Sequence, residues 1–268
     1  MNQWRLVESG QQAAAWNMAA DEAMLACYPQ LQQPTLRLYA WRQPTLSLGY
    51  FQPLDDVDLD ACASHGIEVV RRPTGGRAVL HHQEVTYSVV AGLGLFSSGV
   101  AASYRDISHI LIEAFTRLGV CATLQRHHAQ GHSSACFDTP AFAELTVDEK
   151  KISGSAQTRT KHALLQHGSL PLVFPWAQLG TALACSPARL RLLKRQATGL
   201  CDVTQVPATR LAAQLKRALI QAFENQFGPL VCASLTDEER SLADRLQTRK
   251  YAHLDWTHLK EATDVVDR

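Results

Sequence analysis

Residues 71–90 read RRPTGGRAVLHHQEVTYSVV, and how this stretch folds decides what kind of protein the chain is. An apolar run, GIEVV at 66–70, meets two arginines, turns through Thr74, Gly75 and Gly76, and resumes as a second run of strand character. Glycine tolerates positive φ and lets other atoms approach the backbone closely. The paired glycines therefore suit a turn against which a small molecule lies. They equally suit a hairpin turn that binds nothing.

Working outward, WRLVES at 4–9 reads as a strand and AAAWNMAADEAMLACY at 13–28 as a helix, with apolar residues at helical spacing. TLRLYAWRQPTLSLGYF at 35–51 alternates on both sides of Gln43 and Pro44, which predicts two strands around a turn. VDLDACASHG predicts a short helix stopped by Gly66. From Ser103 to Leu118, apolar residues recur at three- and four-residue steps before Gly119, the pattern of an amphipathic helix with its C-terminal stop. VCATLQRH at 120–127 resumes a strand. Residues 135–174 alternate strongly, with turns at VDEKK and TRTKH, and predict two or three antiparallel strands. The remainder reads as helical, and the last long segment opens with Thr236 and Glu239 at capping-box spacing. The expectation is an α+β fold, a mixed, largely antiparallel sheet flanked by helices, with residues 1–200 forming the main domain and 201–268 a small helical part packed on it.

Composition narrows the function classes. With 268 residues and 46% hydrophobic content the chain can bury a sizeable core. Its 26 Lys and Arg against 25 Asp and Glu leave a formal charge of +1, so nothing global draws it to nucleic acid or to an anionic membrane. There is no apolar run of membrane-spanning length and MNQWRLVESG is no signal peptide, so the cytoplasm is the expected location. Seven cysteines without a C-x-x-C pair suggest neither a disulfide framework nor a zinc ribbon.

Three further segments carry chemistry. In KKISGSAQ at 150–157, two lysines precede the small residues Gly154, Ser155 and Ala156, which cannot fill a core and so leave a groove into which an ammonium can reach a carbonyl oxygen; a solvated hairpin with two surface lysines fits the same letters. Cys136 in SSACFDTPAFAEL sits where a polar loop meets a strand, within reach of a substrate, and would need a cationic neighbour such as Lys151 or a histidine to become a nucleophile; an ordinary half-buried cysteine fits the same position. His127, His128 and His132 in HHAQGH lack a Cys or carboxylate at ligand spacing, so no metal is expected. His81 and His82 stand better placed to meet a ligand, whereas His167 suits a hydrogen bond across strands. RLRLLKRQ at 189–196 reads as a solvated helix face or as a docking site for an acidic protein.

Taken in order, RRPTGGRAVLH, TYSVV, KKISGSAQ and LLQHGSL resemble the lipoate-protein ligase and lipoyl/octanoyl transferase family. ACFDTP and YAWRQPTLSLGYFQ are most similar to its cysteine-dependent octanoyltransferase branch. The resemblance implies the fold of the biotinyl and lipoyl ligases. It also implies that Arg72, Gly75, Gly76, Arg77 and His81 bind the acyl group beside Gly154, Ser155 and Ala156, that Lys151 meets the acyl carbonyl, and that Cys136 accepts the acyl group. His82 stands where the family more often has an acidic residue. The implied reaction takes octanoyl from octanoyl-acyl carrier protein, through a cysteine thioester, to a lysine of a lipoyl domain such as glycine cleavage H protein, with no cofactor. The rival readings are an ATP-dependent lipoate ligase, octanoyl transfer between two lipoyl domains, a non-catalytic acyl-binding protein, and a nucleic-acid-binding regulator.

Overall fold

The computed structural model describes residues 3–125 and 144–259. Two strands and a helix open it: β1 (Arg5–Gln12), α1 (Ala14–Leu31) and β2 (Thr35–Trp41). Next come β3 (Thr45–Leu48), α2 (Leu59–Ser64), β4 (Glu68–Arg71), β5 (Val79–His81), β6 (Glu84–Gly92) and α3 (Val100–Arg117). The chain continues through β7 (Thr123–Gln125), β8 (Glu144–Val147), β9 (Lys150–Lys151), β10 (Gly154–Arg159) and β11 (Ala163–Pro171). Helices α4 (Trp176–Ala182), α5 (Pro187–Gln196), α6 (Leu200–Thr204) and α7 (Ala208–Phe227) follow, then β12 (Val231–Cys232), α8 (Asp237–Leu246) and α9 (Leu254–Leu259).

The large sheet has the order β10-β11-β6-β2-β1-β12. Its first three pairings, as far as β6 with β2, are antiparallel, and β2-β1 and β1-β12 are parallel. Alternation along β2 explains its two faces. Leu36 and Leu38 enter a core shared with Ile107, Leu111 and Phe115 of α3 and with Leu215, Leu219 and Phe223 of α7. Arg37 and Tyr39 point the other way, toward α1. That helix is rich in alanine, so it lies close to the sheet, and Ala20, Met24 and Tyr28 pack on Val7, Val90 and Leu165.

A second, three-stranded sheet has the order β4-β3-β5, and it settles the hairpin question. The strands on either side of the glycine turn do not pair with each other: β4 lies parallel to β3 on one side and β5 lies antiparallel to it on the other. The turn therefore crosses over β3. Likewise β2 and β3, read as two strands around a turn, fall in different sheets. A third small sheet, β7-β8-β9, holds the two lysines of KKISGSAQ.

Residues after 200 do not form helices alone. Val231 and Cys232 add a parallel edge strand to β1, and α7 contributes to the same core as the large sheet. Two residues are too few for a recognisable alternation, which hides β12 from sequence reading. The capping box of α8 is present in full: Thr236 Oγ1 accepts from the Glu239 N–H and the Glu239 carboxylate accepts from the Thr236 N–H.

Candidate active site

Between the α1 face of the large sheet and the small β4-β3-β5 sheet lies a small cavity of about 20 Å³. The large sheet supplies Tyr39, Trp41 and Thr86, then Gly154, Ser155 and Ala156 from β10, and His167, Gly168 and Ser169 from β11. Met18 of α1 closes one side; Ser47, Arg72, Val79 and His81 come from the small sheet and its turn. The small residues of KKISGSAQ thus leave space, as their size demands.

Arg72 is the brace of the turn. Its Nη2 donates to the carbonyl oxygens of Gly75 at 2.7 Å and Arg77 at 2.9 Å, its Nη1 to the Ser47 carbonyl at 2.9 Å, and its Nε to Thr74 Oγ1 at 3.1 Å. The planar fork of a guanidinium can hold several acceptors at fixed angles, which an ammonium cannot. Gly76 takes φ +91°, a left-handed conformation that favours glycine. The tightest approach, however, is at Gly49, where a Cβ would stand 1.9 Å from the Gly76 carbonyl oxygen. Beside Gly75 a Cβ would meet nothing within 4 Å.

Two buried carboxylates anchor the cavity wall. Asp21 of α1 accepts from Arg37 Nη1 at 2.7 Å, Ser88 Oγ at 2.8 Å, Tyr39 Oη at 3.0 Å and His167 Nδ1 at 2.9 Å. Glu84 of β6 accepts from His81 Nδ1 at 2.8 Å, Ser169 Oγ at 2.7 Å and Trp41 Nε1 at 3.2 Å. Burial raises both carboxyls, but the opposing charges and hydrogen bonds outweigh it, and both lie below their ordinary values. Burial acts on His167 in the direction that favours the neutral ring, and its value is lowered. Trp41 stacks on the His81 imidazole with centroids 4.1 Å apart.

The structure thus brings Arg72, His81, Gly154, Ser155 and Ala156 to one cavity, with Gly75, Gly76 and Arg77 in the turn that Arg72 braces. Lys151 does not line that cavity among the described residues. It lies buried on β9, three residues before Gly154, and its ammonium pairs with Glu144. Its carbonyl accepts from the Thr198 N–H at 3.0 Å. Cys136, with His127, His128 and His132, lies outside the described residues. Among the described residues no group of three or more His, Cys, Asp or Glu side chains could hold a metal ion, and no helix is long and apolar enough to cross a membrane.

Sequence reading passes over Asp21, Glu84, Ser47 and Trp41, and gives His167 only a structural part. One signal was there: Asn17 and Asp21 stand one turn apart on a face of α1 that also carries Met18 and Met24, and polar groups on an apolar face need partners.

A cavity between the Arg72-braced segment and a strand of small residues is the kind of place in which a protein takes a small ligand. Residues 13–228 match the lipoyl protein ligase A/B catalytic domain. The chain is 40% identical to the octanoyltransferase LipM of Kyrpidia tusciae over 97% of its own length and all of that protein's. It is 37% identical to the octanoyltransferase LipM of Geobacillus kaustophilus, covering 94% of this chain and 97% of the relative. In fold it is similar to the bi-partite lipoate protein ligase of Thermoplasma acidophilum, with a TM-score of 0.82 and 24% identity over 99% of this chain and 100% of the other. The chain belongs to the lipoyl protein ligase A/B catalytic domain family.

Proposed function

We propose that this protein is an octanoyltransferase of lipoate biosynthesis, which takes the octanoyl group from octanoyl-acyl carrier protein, holds it as a thioester on Cys136, and passes it to a lysine of a lipoyl domain. Octanoyl transfer itself is carried by one observation: the similarity to an octanoyltransferase runs over 97% of this chain and all of the relative. The finer assignments are supported by chemistry. A thioester-to-thioester exchange is nearly isoenergetic and amide formation runs downhill, so no ATP is consumed.

In this reading the octanoyl chain lies in the cavity between the glycine turn and Gly154–Ala156. Lys151 and backbone N–H groups stabilise the tetrahedral oxyanion, an effect worth about 3 to 4 kcal/mol per well-placed donor. The burial of Lys151 next to Glu144 supports a fixed ammonium rather than a solvated one. Every described cavity-lining side chain falls before residue 200, which supports treating 1–200 as the acyl-binding part and 201–268 as packing on it. The place of action is the cytoplasm, where both carrier substrates would be met.

The test is intact mass of the protein after mixing with octanoyl-acyl carrier protein in the absence of ATP. A single octanoyl increment, labile to hydroxylamine and absent from Cys136→Ala, is the expected result. No increment in the folded native protein, together with lipoate attachment that needs ATP and survives Cys136→Ala, would move the assignment to a ligase.

A further inference from the structure

The cavity that would take the octanoyl chain measures about 20 Å³, room for one water molecule. A cavity that holds benzene measures about 150 Å³. Eight carbons need at least as much, so a wall has to move before the chain can enter. On the large-sheet side the wall is held by continuous ladders, β10 to β11 over six residue pairs and β11 to β6 over nine. The opposite wall belongs to the separate β4-β3-β5 sheet, which supplies Ser47, Val79 and His81.

The seam between that sheet and α1 is apolar. Met18 of α1, a cavity residue, shares one cluster with Val70 of β4 and with Leu246, Tyr251 and Trp256. After α8 the backbone widens into a π-helix, Gln247–Tyr251, and α9 follows. This stretch is fastened at two ends. Toward α1, Lys250 Nζ donates to both carboxylate oxygens of Glu22 at 2.7 Å, and the Tyr251 hydroxyl donates to one of them. Toward β4, Trp256 Nε1 donates to the Arg71 carbonyl at 2.9 Å, and Arg71 Nε and Nη2 donate to the Thr257 carbonyl at 3.0 and 2.8 Å. Lys250 Nζ also stands 4.1 Å from the centre of the Trp256 ring.

The two fastenings differ in charge. At α1 an ammonium meets a carboxylate. At β4 the buried guanidinium of Arg71 has only backbone carbonyls among its described acceptors, those of Thr257, Gly49, Tyr50 and Gln52. Dipoles compensate a buried charge less well than a counter-charge does. Opening this end therefore gives water back to Arg71 and breaks no described ion pair. We propose that residues 247–257 form a strap over the seam between α1 and β4, and that the cavity admits an acyl chain when the strap releases Arg71. This rests on the reading that octanoyl lies in this cavity. A protein that binds its ligand only when open has an apparent affinity reduced by the fraction of time it is open. Loosening the strap must therefore tighten binding, whereas loss of an ordinary structural contact weakens it or leaves it alone.

The experiment titrates the full chain with octanoate by calorimetry, in native form, in Trp256→Phe, which keeps a ring but has no N–H for the Arg71 carbonyl, and in Lys250→Met, which removes the cation over that ring. Both variants are expected to bind octanoate about fivefold more tightly than the native protein, a change equivalent to about 1 kcal/mol, the worth of one hydrogen bond. Amide hydrogen exchange of the native protein gives a second readout, so a misfolded variant leaves the test standing. Octanoate is expected to speed exchange at 250–257 and to slow it along β10 and β11, where a merely structural C-terminal stretch would slow or hold in both. Native or weaker affinity in both variants, or exchange at 250–257 that octanoate slows or leaves unchanged, overturns the strap while the cavity reading stands. Absence of octanoate binding in all three proteins overturns the cavity reading, and the strap with it.

Discussion

Arg72 Nη2 donates to the carbonyl oxygen of Gly75 across 2.7 Å, so the arginine that the sequence places before the turn folds back to brace it. The same guanidinium holds four further acceptors, counting the Ser47 hydroxyl. Arg72→Lys keeps the charge and loses the fork. It is expected to cost about 2–3 kcal/mol of stability, since hydrogen bonds to charged groups are worth about 1.5–3 each. Urea denaturation reads that loss, and an unchanged midpoint would show the brace to be dispensable.

Two glycines of the same region should respond oppositely. At Gly49 a methyl would stand 1.9 Å from a backbone oxygen, so Gly49→Ala must displace the turn, at about 1–3 kcal/mol for an overpacked site. At Gly75 the methyl meets nothing, and Gly75→Ala should hold stability within about 0.5 kcal/mol. Thermal melts of the two variants side by side check the contrast. If both melt alike, the crossing of the turn over Gly49 is not as described.

Asp21 and Arg37 form an ion pair with both side chains fully inaccessible to solvent. Asp21→Asn leaves a guanidinium buried without its charge partner, which is expected to cost about 3–5 kcal/mol. The pH dependence follows from signs. Asp21 and Glu84 lie below their ordinary values of 3.8 and 4.5, so their contribution is present above those values and is lost as pH falls through the folded ones. His167 lies below its ordinary 6.5, so the unfolded chain takes up that proton first and stability begins to fall below that pH. Thermal midpoints should therefore decline from about pH 6.5 downward and steepen below pH 4, with the steep limb reduced in Asp21→Asn. A flat profile down to pH 4 would contradict a neutral, buried His167.

Helix α5 turns Leu193 into the core beside Phe174 and Leu179 and leaves Arg191, Leu192, Lys194 and Arg195 exposed. No acidic residue falls between 183 and 201, and the end of the helix leads into the Thr198–Lys151 hydrogen bond. An acidic carrier protein seated there would deliver its acyl arm next to Lys151. Arg191→Glu with Lys194→Glu is expected to raise the KM for octanoyl-acyl carrier protein about tenfold at low salt, with a smaller effect at high salt, as rim charges act mainly on encounter. A small-molecule octanoyl thioester should be used as before. If both donors suffer equally, α5 is not the docking face.

Much of this architecture could be read from the residues, because period and capping are local properties. Ile107, Leu111 and Phe115 announce α3, and Thr236 with Glu239 announces α8. Small residues at 154–156 announce the groove. What local pattern cannot give is pairing. Nothing in Val69 or Leu80 says that their strands flank β3 instead of each other, and nothing in Val231 says that it meets Arg5. The carboxylates escaped for a related reason. Glu84 has His81 nearby in sequence, yet Asp21 gains its meaning from Arg37 and from His167, 146 residues away.

Arg5 at the start of β1 pairs with Glu239, Glu22 of α1 with Lys250, and Arg71 of β4 donates to the carbonyl of Thr257. Each joins an early residue to a late one. During synthesis, β1, α1 and β4 therefore leave the ribosome long before the groups that secure them. Until residue 257 has emerged, the buried guanidinium of Arg71 lacks one of its acceptors, so this corner of β4 reaches its full set of hydrogen bonds only when nearly the whole chain has been made.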